Sequence, residues 1–346
     1  MSRQPMSDLF YLTRADVAQA LSRIDPVAVA ADVLRAHARG ETVVPDEGYL
    51  GWTTADGHSA RSLNMPGLVG GPEPVVGTKI INASLGNTAR GIPRADGLTF
   101  LFDPETAHPY AMMDAALISA TRTAAVSAVA VGLRTRPVSR LAFLGCGAQA
   151  DAHLGLLLPR LEDLTELALY DQQPAAAAAF AEKHRAAAEA VGVRLTVTAT
   201  AQEAVRGSDV VVPLTTVTEG YVRAEWLLPT ATVVHVSLDD LLAEVVLGAA
   251  QVVVDDWQLV RTDPRRLLGR MYREGLLYGP DEPEPGRPAK RVDGTLGELL
   301  LKEAPLADRD GVTVVNPFGM SVQDVALAHR VFTAATELGI GSRLPR

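Results

Sequence analysis

Two groups of residues in this chain have types and spacing suited to chemistry. The first is the run Leu141-Ala142-Phe143-Leu144-Gly145-Cys146-Gly147-Ala148-Gln149-Ala150, followed after the next apolar run, Leu167 to Tyr170, by Asp171. It reads as strand, glycine turn, helix, strand and acid, a layout that holds a dinucleotide pyrophosphate on a helix N-terminus. Gly145 permits the turn, Gly147 lets backbone approach phosphate with no side chain in the way, and Ala148 and Ala150 keep the first helical turn thin against a sheet. Asp171 follows Gly145 by 26 residues, close to the usual spacing of about 20. A carboxylate there accepts from both ribose hydroxyls and repels a 2′-phosphate, so the expected cofactor is NAD rather than NADP.

The second group is cationic. Arg61, Lys79, Arg94 and Arg122 sit in or beside β-prone or close-packed segments of a chain whose formal charge is -9. Burying a cation without a partner costs several kcal/mol, so an anionic ligand with a carboxylate is the expected partner for the set. Lys79, between Val75-Val76 and Ile80-Ile81, reads either as a binding residue or as an edge lysine turned to water. Cys146 is the only cysteine; with no base beside it in sequence it reads as a small filler. No metal site is expected.

The elements that must position these groups follow from the pattern. Asp25-Pro26 is a helix start, with a capping acid and a first-turn proline ahead of Val27 to His37, and Gly40 is a stop. From Glu41 to Phe102 the texture is short β-prone runs, Val75 to Asn82 and Leu98 to Phe102 among them, broken by Gly, Pro and Asn. Asp103-Pro104 turns the chain, and Ala111 to Val131 reads as one long helix of small residues carrying Ser119 to Thr123. After Pro137 strands and helices alternate. Leu141 to Leu144, Thr165 to Asp171, Leu195 to Thr198, Asp209 to Leu214, Ala231 to Ser237 and Val252 to Asp255 are the strands, with Gln149 to Leu161 and Pro174 to Val191 as helices. That alternation specifies an α/β fold with a doubly wound, Rossmann-type parallel sheet. Asp281 to Lys290 is a surface loop; the last strand, Val312 to Asn316, leads through Pro317-Phe318-Gly319-Met320 to a closing helix from Ser321 to Leu338.

Composition excludes several classes. At 346 residues the expectation is two domains, each with a buried core. One cysteine rules out a disulfide framework and fits a reducing compartment. The acidic balance, with no basic block interleaved with aromatics, argues against nucleic acid as a partner. Met1 to Tyr11 has no signal architecture and no uncharged apolar run of about 18 residues occurs, so a cytoplasmic protein without membrane contact is expected.

The residues Arg61-Ser62-Leu63-Asn64-Met65-Pro66, Gly77-Thr78-Lys79, Met113-Asp114-Ala115, Thr121-Arg122-Thr123-Ala124-Ala125 and Gly145 to Ala150 resemble the ornithine cyclodeaminase/mu-crystallin family, over nearly the whole chain. Within it, Leu12-Thr13-Arg14-Ala15-Asp16-Val17, Asp103-Pro104-Glu105-Thr106, His235-Val236-Ser237-Leu238, Val253-Val254-Asp255-Asp256-Trp257 and Asn316-Pro317-Phe318-Gly319-Met320 resemble one branch. That branch makes 2,3-diaminopropionate for siderophores and peptide antibiotics by NAD-dependent oxidative cleavage of N-(2-amino-2-carboxyethyl)-L-glutamate.

The resemblance implies a homodimer. Residues 1–125 and 318–346 would form a discontinuous α+β domain for substrate binding and dimerisation, and 126–317 the NAD-binding Rossmann domain. Arg61, Lys79 and Arg122 would bind the amino-acid carboxylate, Arg122 and Thr218 would lie by the nucleotide, and Gly145, Gly147, Ala148, Gln149 and Asp171 would hold it. Where cyclodeaminases carry Gly-x-Pro-Thr, this chain has Gly91-Ile92-Pro93-Arg94, an added cation that suits a substrate with three carboxylates better than ornithine. The cyclodeaminase catalytic aspartate corresponds to Asp240 counting forward from the preceding strand, or to Leu238 counting back from Glu244; the strand count is preferred because loops absorb deletions. Asp240 is then the expected acceptor of a proton from attacking water, with Lys79 in reserve. The family's Pro-Gly-Lys run is absent, which speaks against cyclisation. An ornithine or lysine cyclodeaminase, a ketimine reductase, and a non-enzymatic nucleotide- or ligand-binding protein remain the other readings.

Overall fold

The computed structural model describes residues 8–307 and 310–345. The chain divides into two compact units, residues 1–122 with 319–346 and residues 123–318. The cuts thus fall at 122/123 and 318/319, a few residues from the 125/126 and 317/318 expected from sequence.

The first unit is built on a mixed sheet. Its strands are β1 (Asp8–Leu12), β2 (Thr42–Val43), β3 (Gly48–Thr53), β4 (Ser59–Val69), β5 (Val75–Ser84), β6 (Ala95–Phe102), β7 (Pro109–Asp114) and β18 (Ser342–Pro345). They run in the order β18-β1-β7-β6-β5-β4-β2, with β3 also paired to β4. Apart from the parallel pair β1–β7 the ladders are antiparallel. The closing helix Ser321–Leu338 packs Val325, Leu327, Ala328 and Val331 into a core with Leu101, Met113 and Ile118. Gly67 and Gly77 let it approach, since a Cβ on Gly67 would stand 2.8 Å from Ser321 Oγ.

One element differs from expectation. Residues 109–114 are strand β7, and the helix starts only at Ala115, running Ala115–Gly132. Asp114 ends the strand and its carboxylate accepts from Leu117 N at 2.9 Å, a helix cap. By length and composition this is the one described helix apolar enough to cross a membrane; 56% of its span is buried in the fold and it carries Arg122 at mid-length.

The second unit is a parallel sheet. Its strands are β8 (Arg140–Leu144), β9 (Glu166–Tyr170), β10 (Arg194–Val197), β11 (Val210–Pro213), β12 (Thr232–Val234), β13 (Gln251–Val254), β16 (Gly294–Thr295) and β17 (Thr313–Asn316), and a separate short pair joins β14 (Leu277–Tyr278) to β15 (Lys290–Arg291). The order β10-β9-β8-β11-β12-β17-β13-β16 is doubly wound, with the chain reversing its direction of travel between β8 and β11. Val-rich strands such as Val210–Pro213 and Gln251–Val254 are buried at every position, as expected of strands covered on both faces. Ligands of such sheets bind beyond the carboxyl ends of the strands, at the reversal point.

Candidate active site

At that reversal point the glycine turn forms. Gly145 follows β8 with φ +100°, and a Cβ there would stand 2.8 Å from the carbonyl oxygen of Leu214, at the end of β11. Only glycine satisfies both the backbone angle and the close approach of the two strand ends. Gly147 caps the helix Ala148–Leu157, and a Cβ on it would meet nothing within 4 Å. The first-turn N–H groups of this helix are thus offered to open space with no capping side chain, which suits an anion such as a pyrophosphate. Gln149 is half-buried in that first turn, with its Oε1 unpartnered among the described residues.

Asp171 follows β9 at the same edge of the sheet. Its Oδ2 accepts from Cys146 N at 2.9 Å and its Oδ1 from Gln173 N at 2.8 Å. The acid expected for the ribose therefore also fixes the shape of the glycine turn, and each oxygen keeps a lone pair for a further donor. Burial, then the charge of Asp171, pushes the Cys146 thiol up to about 12, so it stays protonated near neutrality. Thr218 is exposed in the stretch after β11.

In the first unit Lys79 is anything but an edge lysine. It lies at the middle of β5, paired with Met65 of β4 and Thr99 of β6, and is 1% exposed. Its Nζ donates to Asp324 Oδ2 at 2.8 Å and to Ser119 Oγ at 3.2 Å. Burial lowers the ammonium to about 8, against the opposing pull of the Asp324 charge. Arg122 Nε stands 3.1 Å from the same Asp324 oxygen, at ion-pair distance but without hydrogen-bond alignment. One carboxylate oxygen therefore serves two cations.

Sheet register relates the other cations to these. Arg61 is opposite Ala83 and Met65 is opposite Lys79, so Arg61 and Lys79 share a face, four residues apart along β4. At about 3.4 Å per residue that is roughly 14 Å, within joint reach of two long side chains on one small ligand. Ala95, the residue after Arg94, pairs with Ala83. Arg94 is therefore at the Arg61 end of the sheet; it is half-buried, and burial lowers its guanidinium. Sequence reasoning missed Asp324, which stands 245 residues from Lys79; the one available signal was an acid in the first turn of a helix otherwise apolar on one face.

Asp240 is fully buried beyond β12 in the second unit. Its Oδ1 accepts from Thr215 Oγ1 at 2.6 Å and Tyr221 OH at 3.2 Å, and its Oδ2 accepts from Ser237 Oγ. Burial raises this carboxyl above its ordinary value while the hydroxyls oppose the shift. Neighbouring Asp239 is held separately by Arg266 and Arg270. Leu238, the other candidate for the catalytic position, is buried and apolar, with a left-handed φ of +74°.

The model of the Ornithine cyclodeaminase/mu-crystallin family matches residues 12–338. The chain is 31% identical to N-((2S)-2-amino-2-carboxyethyl)-L-glutamate dehydrogenase of Staphylococcus aureus (strain NCTC 8325 / PS 47), covering 97% of this chain and 98% of that one. Among solved structures, CmnK is 39% identical with a TM-score of 0.89, over 98% of both chains. An archaeal alanine dehydrogenase dimer with bound NAD is 27% identical with a TM-score of 0.81, over 97% of this chain and 99% of that one.

Proposed function

The chain belongs to the ornithine cyclodeaminase/mu-crystallin family, and from that premise we propose that it cleaves N-(2-amino-2-carboxyethyl)-L-glutamate oxidatively with NAD, giving 2,3-diaminopropionate and 2-oxoglutarate. It is an NAD-dependent oxidoreductase acting on an amino-acid C–N bond. The open helix N-terminus at Gly147 and Ala148 and the acid Asp171 fit a dinucleotide without a 2′-phosphate.

The observation that carries the substrate reading is the charge of the buried cluster. Lys79 and Arg122 are ion-paired to one oxygen of the Asp324 carboxylate, with Glu47 acting on Lys79 by its charge, so a ligand carboxylate would meet two cations held at one point. Arg94, half-buried farther along the sheet, supplies a cation for another of the three carboxylates that this substrate carries. Ornithine, whose far end is itself cationic, would meet repulsion there.

Bound NAD would supply acceptance of hydride from the Cα–H of the glutamyl half, which would leave the protonated imine of the secondary amine at that carbon. Lys79, Arg122 and Arg61 fix the α-carboxylate so that this carbon has one orientation, worth several kcal/mol of the barrier by restricted motion. Water then adds to the protonated imine and gives up one proton, and the carbinolamine collapses as its hydroxyl proton passes to the nitrogen, expelling the amine of 2,3-diaminopropionate and leaving 2-oxoglutarate. Asp240, approached through the hydroxyls of Thr215 and Ser237, takes the proton from the attacking water, and its raised affinity for protons suits that task. Lys79, the reserve named for this role, is ion-paired to Asp324 as an ammonium and is left to the carboxylate. Thr218 is proposed to border the nucleotide.

A homodimer is part of the same proposal. Strand β3 is exposed along its length and presents Tyr49, Leu50 and Trp52 to solvent, an apolar edge that a second copy would cover. Its 2,3-diaminopropionate product would be a building block for siderophores or peptide antibiotics.

Mixing the purified protein with NAD and N-(2-amino-2-carboxyethyl)-L-glutamate should raise absorbance at the NADH band and release 2-oxoglutarate in equal amount. No absorbance change, together with conversion of ornithine to proline, would overturn the assignment. Light scattering should give twice the chain mass of 36.7 kDa; a monomer would sink the dimer.

A further inference from the structure

We infer that Asp324 is a positioning residue for carboxylate recognition: from the closing helix it pins the Lys79 ammonium and the Arg122 guanidinium in one arrangement and keeps Lys79 protonated for the ligand. This rests on the substrate reading above and adds to it a residue that never touches the substrate.

Four observations carry it. Lys79 and Asp324 are both withdrawn from solvent, at 1% and 0% exposure. A buried ion pair of this kind is a poor stabilising device, because well-packed apolar residues often do as well or better, so its presence calls for a second role. Asp324 lies in the first turn of an 18-residue helix, where the aligned peptide dipoles favour a negative charge. Its charge favours the protonated form of the Lys79 ammonium. Only Oδ2 engages the cations, while Oδ1 has no hydrogen-bond partner among the described residues. The pair of cations is therefore drawn to one point rather than spread over two oxygens. Lastly, Gly319, φ +99°, precedes the helix where a Cβ would stand 2.5 Å from Arg122 Nη1; the chain entering the helix is shaped around that guanidinium.

The groups around the Lys79 ammonium come from each neighbouring element: Asp324 from the closing helix, Arg122 and the Ser119 hydroxyl from the long helix, and Glu47 from the loop ahead of β3. Of these, Asp324 and Glu47 hold the proton on and Arg122 works against it; burial has the largest effect, bringing the ammonium down to about 8. Removing the Asp324 charge leaves burial and Arg122 opposed only by Glu47, so Lys79 loses its proton at lower pH.

The test uses the full chain and the calorimetric Kd for 2-oxoglutarate between pH 6 and pH 10. Wild type should bind and then weaken on the alkaline side as Lys79 deprotonates, with the break near pH 8. In Asp324→Asn the break should move down by about one pH unit or more; a break that stays in place refutes the inference. Asp324→Glu keeps the charge and alters the geometry, so its break should stay while affinity falls several-fold. Wild-type affinity in that variant also refutes the inference, even if the Asn variant fails to fold. Wild-type protein that binds no 2-oxoglutarate at any pH overturns the substrate reading and this inference with it, whereas binding with an unmoved break in the Asn variant overturns the inference alone.

Discussion

Adding one methyl group at Gly145 and one at Gly147 should have opposite consequences, although the positions are two residues apart. In Gly145→Ala the new Cβ would stand 2.8 and 2.9 Å from the carbonyl oxygen and carbon of Leu214 and 3.2 Å from Thr215 N, all backbone atoms of the neighbouring strand end. Backbone cannot rotate away as a side chain can, so β8 and β11 must part. Overpacking of this kind costs about 1–3 kcal/mol, and a non-glycine residue at φ +100° adds roughly 1–2 kcal/mol. A loss of about 3 kcal/mol in a unit of this size corresponds to a melting temperature lower by about 6–12 °C. In Gly147→Ala the Cβ meets nothing and φ is an ordinary -96°, so the melting temperature should hold. The methyl instead occupies the space above the helix N-terminus, and loss of one charge-assisted hydrogen bond to phosphate, about 1.5–3 kcal/mol, weakens NAD by about 10- to 100-fold. Scanning calorimetry without ligand and NAD titration by fluorescence separate the two effects. An unchanged melting temperature for Gly145→Ala, or unchanged NAD affinity for Gly147→Ala, would refute the reasoning at that position.

Lys79→Ala strands the Asp324 carboxylate with Arg122 alone in a buried site; urea unfolding should report a loss of about 3–5 kcal/mol and turnover should vanish, while a variant of wild-type rate would remove Lys79 from the site. Asp171→Ala should weaken NAD at least tenfold more than NADP, since the ribose contact is lost only by the former; equal losses would mean that the acid acts only through its bonds to Cys146 N and Gln173 N. His153 and His235 are buried, and burial lowers them to about 4 and about 3. Both folded values lie below the unfolded value near 6.5, so the unfolded chain takes up protons first as pH falls. Their contribution is full above about pH 6.5 and is lost through the window down to those values. Between pH 7 and pH 5 the two together should cost on the order of 3 kcal/mol; denaturant midpoints that do not fall over that range would contradict their buried, neutral state.

Most of what local pattern can encode was legible in the sequence. The closing helix reads Ser321 to Leu338 because its apolar period begins after Pro317-Phe318-Gly319 and ends at Gly339 in the left-handed region. The parallel strands read from runs of Val between turn residues, each short and buried on both sides. The segment Ala111 to Asp114 was misread as helix because Ala and Met favour helices, yet the ladders to β1 and β6 claim it as strand. The capping carboxylate of Asp114 was the overlooked marker. Lys79 could be read two ways because alternation gives the face a strand residue uses but not whether the strand is central. Asp324 was out of reach altogether: nothing local says which distant cation a helical acid will meet.

Residues 8–122 and 319–345 share one sheet, and the first strand pairs directly with the last, Asp8 opposite Pro345. On the ribosome, Lys79 and Arg122 emerge long before their counterion at Asp324, and the uninterrupted 123–318 unit is completed first. The insertion is cheap at equilibrium, since each doubling of an intervening length costs only about 0.6 kcal/mol. In time it is costly: until the closing helix arrives, the β4–β7 sheet has a bare apolar face with charges set in it, a state prone to association. Synthesis of this enzyme should therefore depend on helpers that shelter nascent chains, and a chain cut after Phe318 should yield aggregate rather than a weakened enzyme.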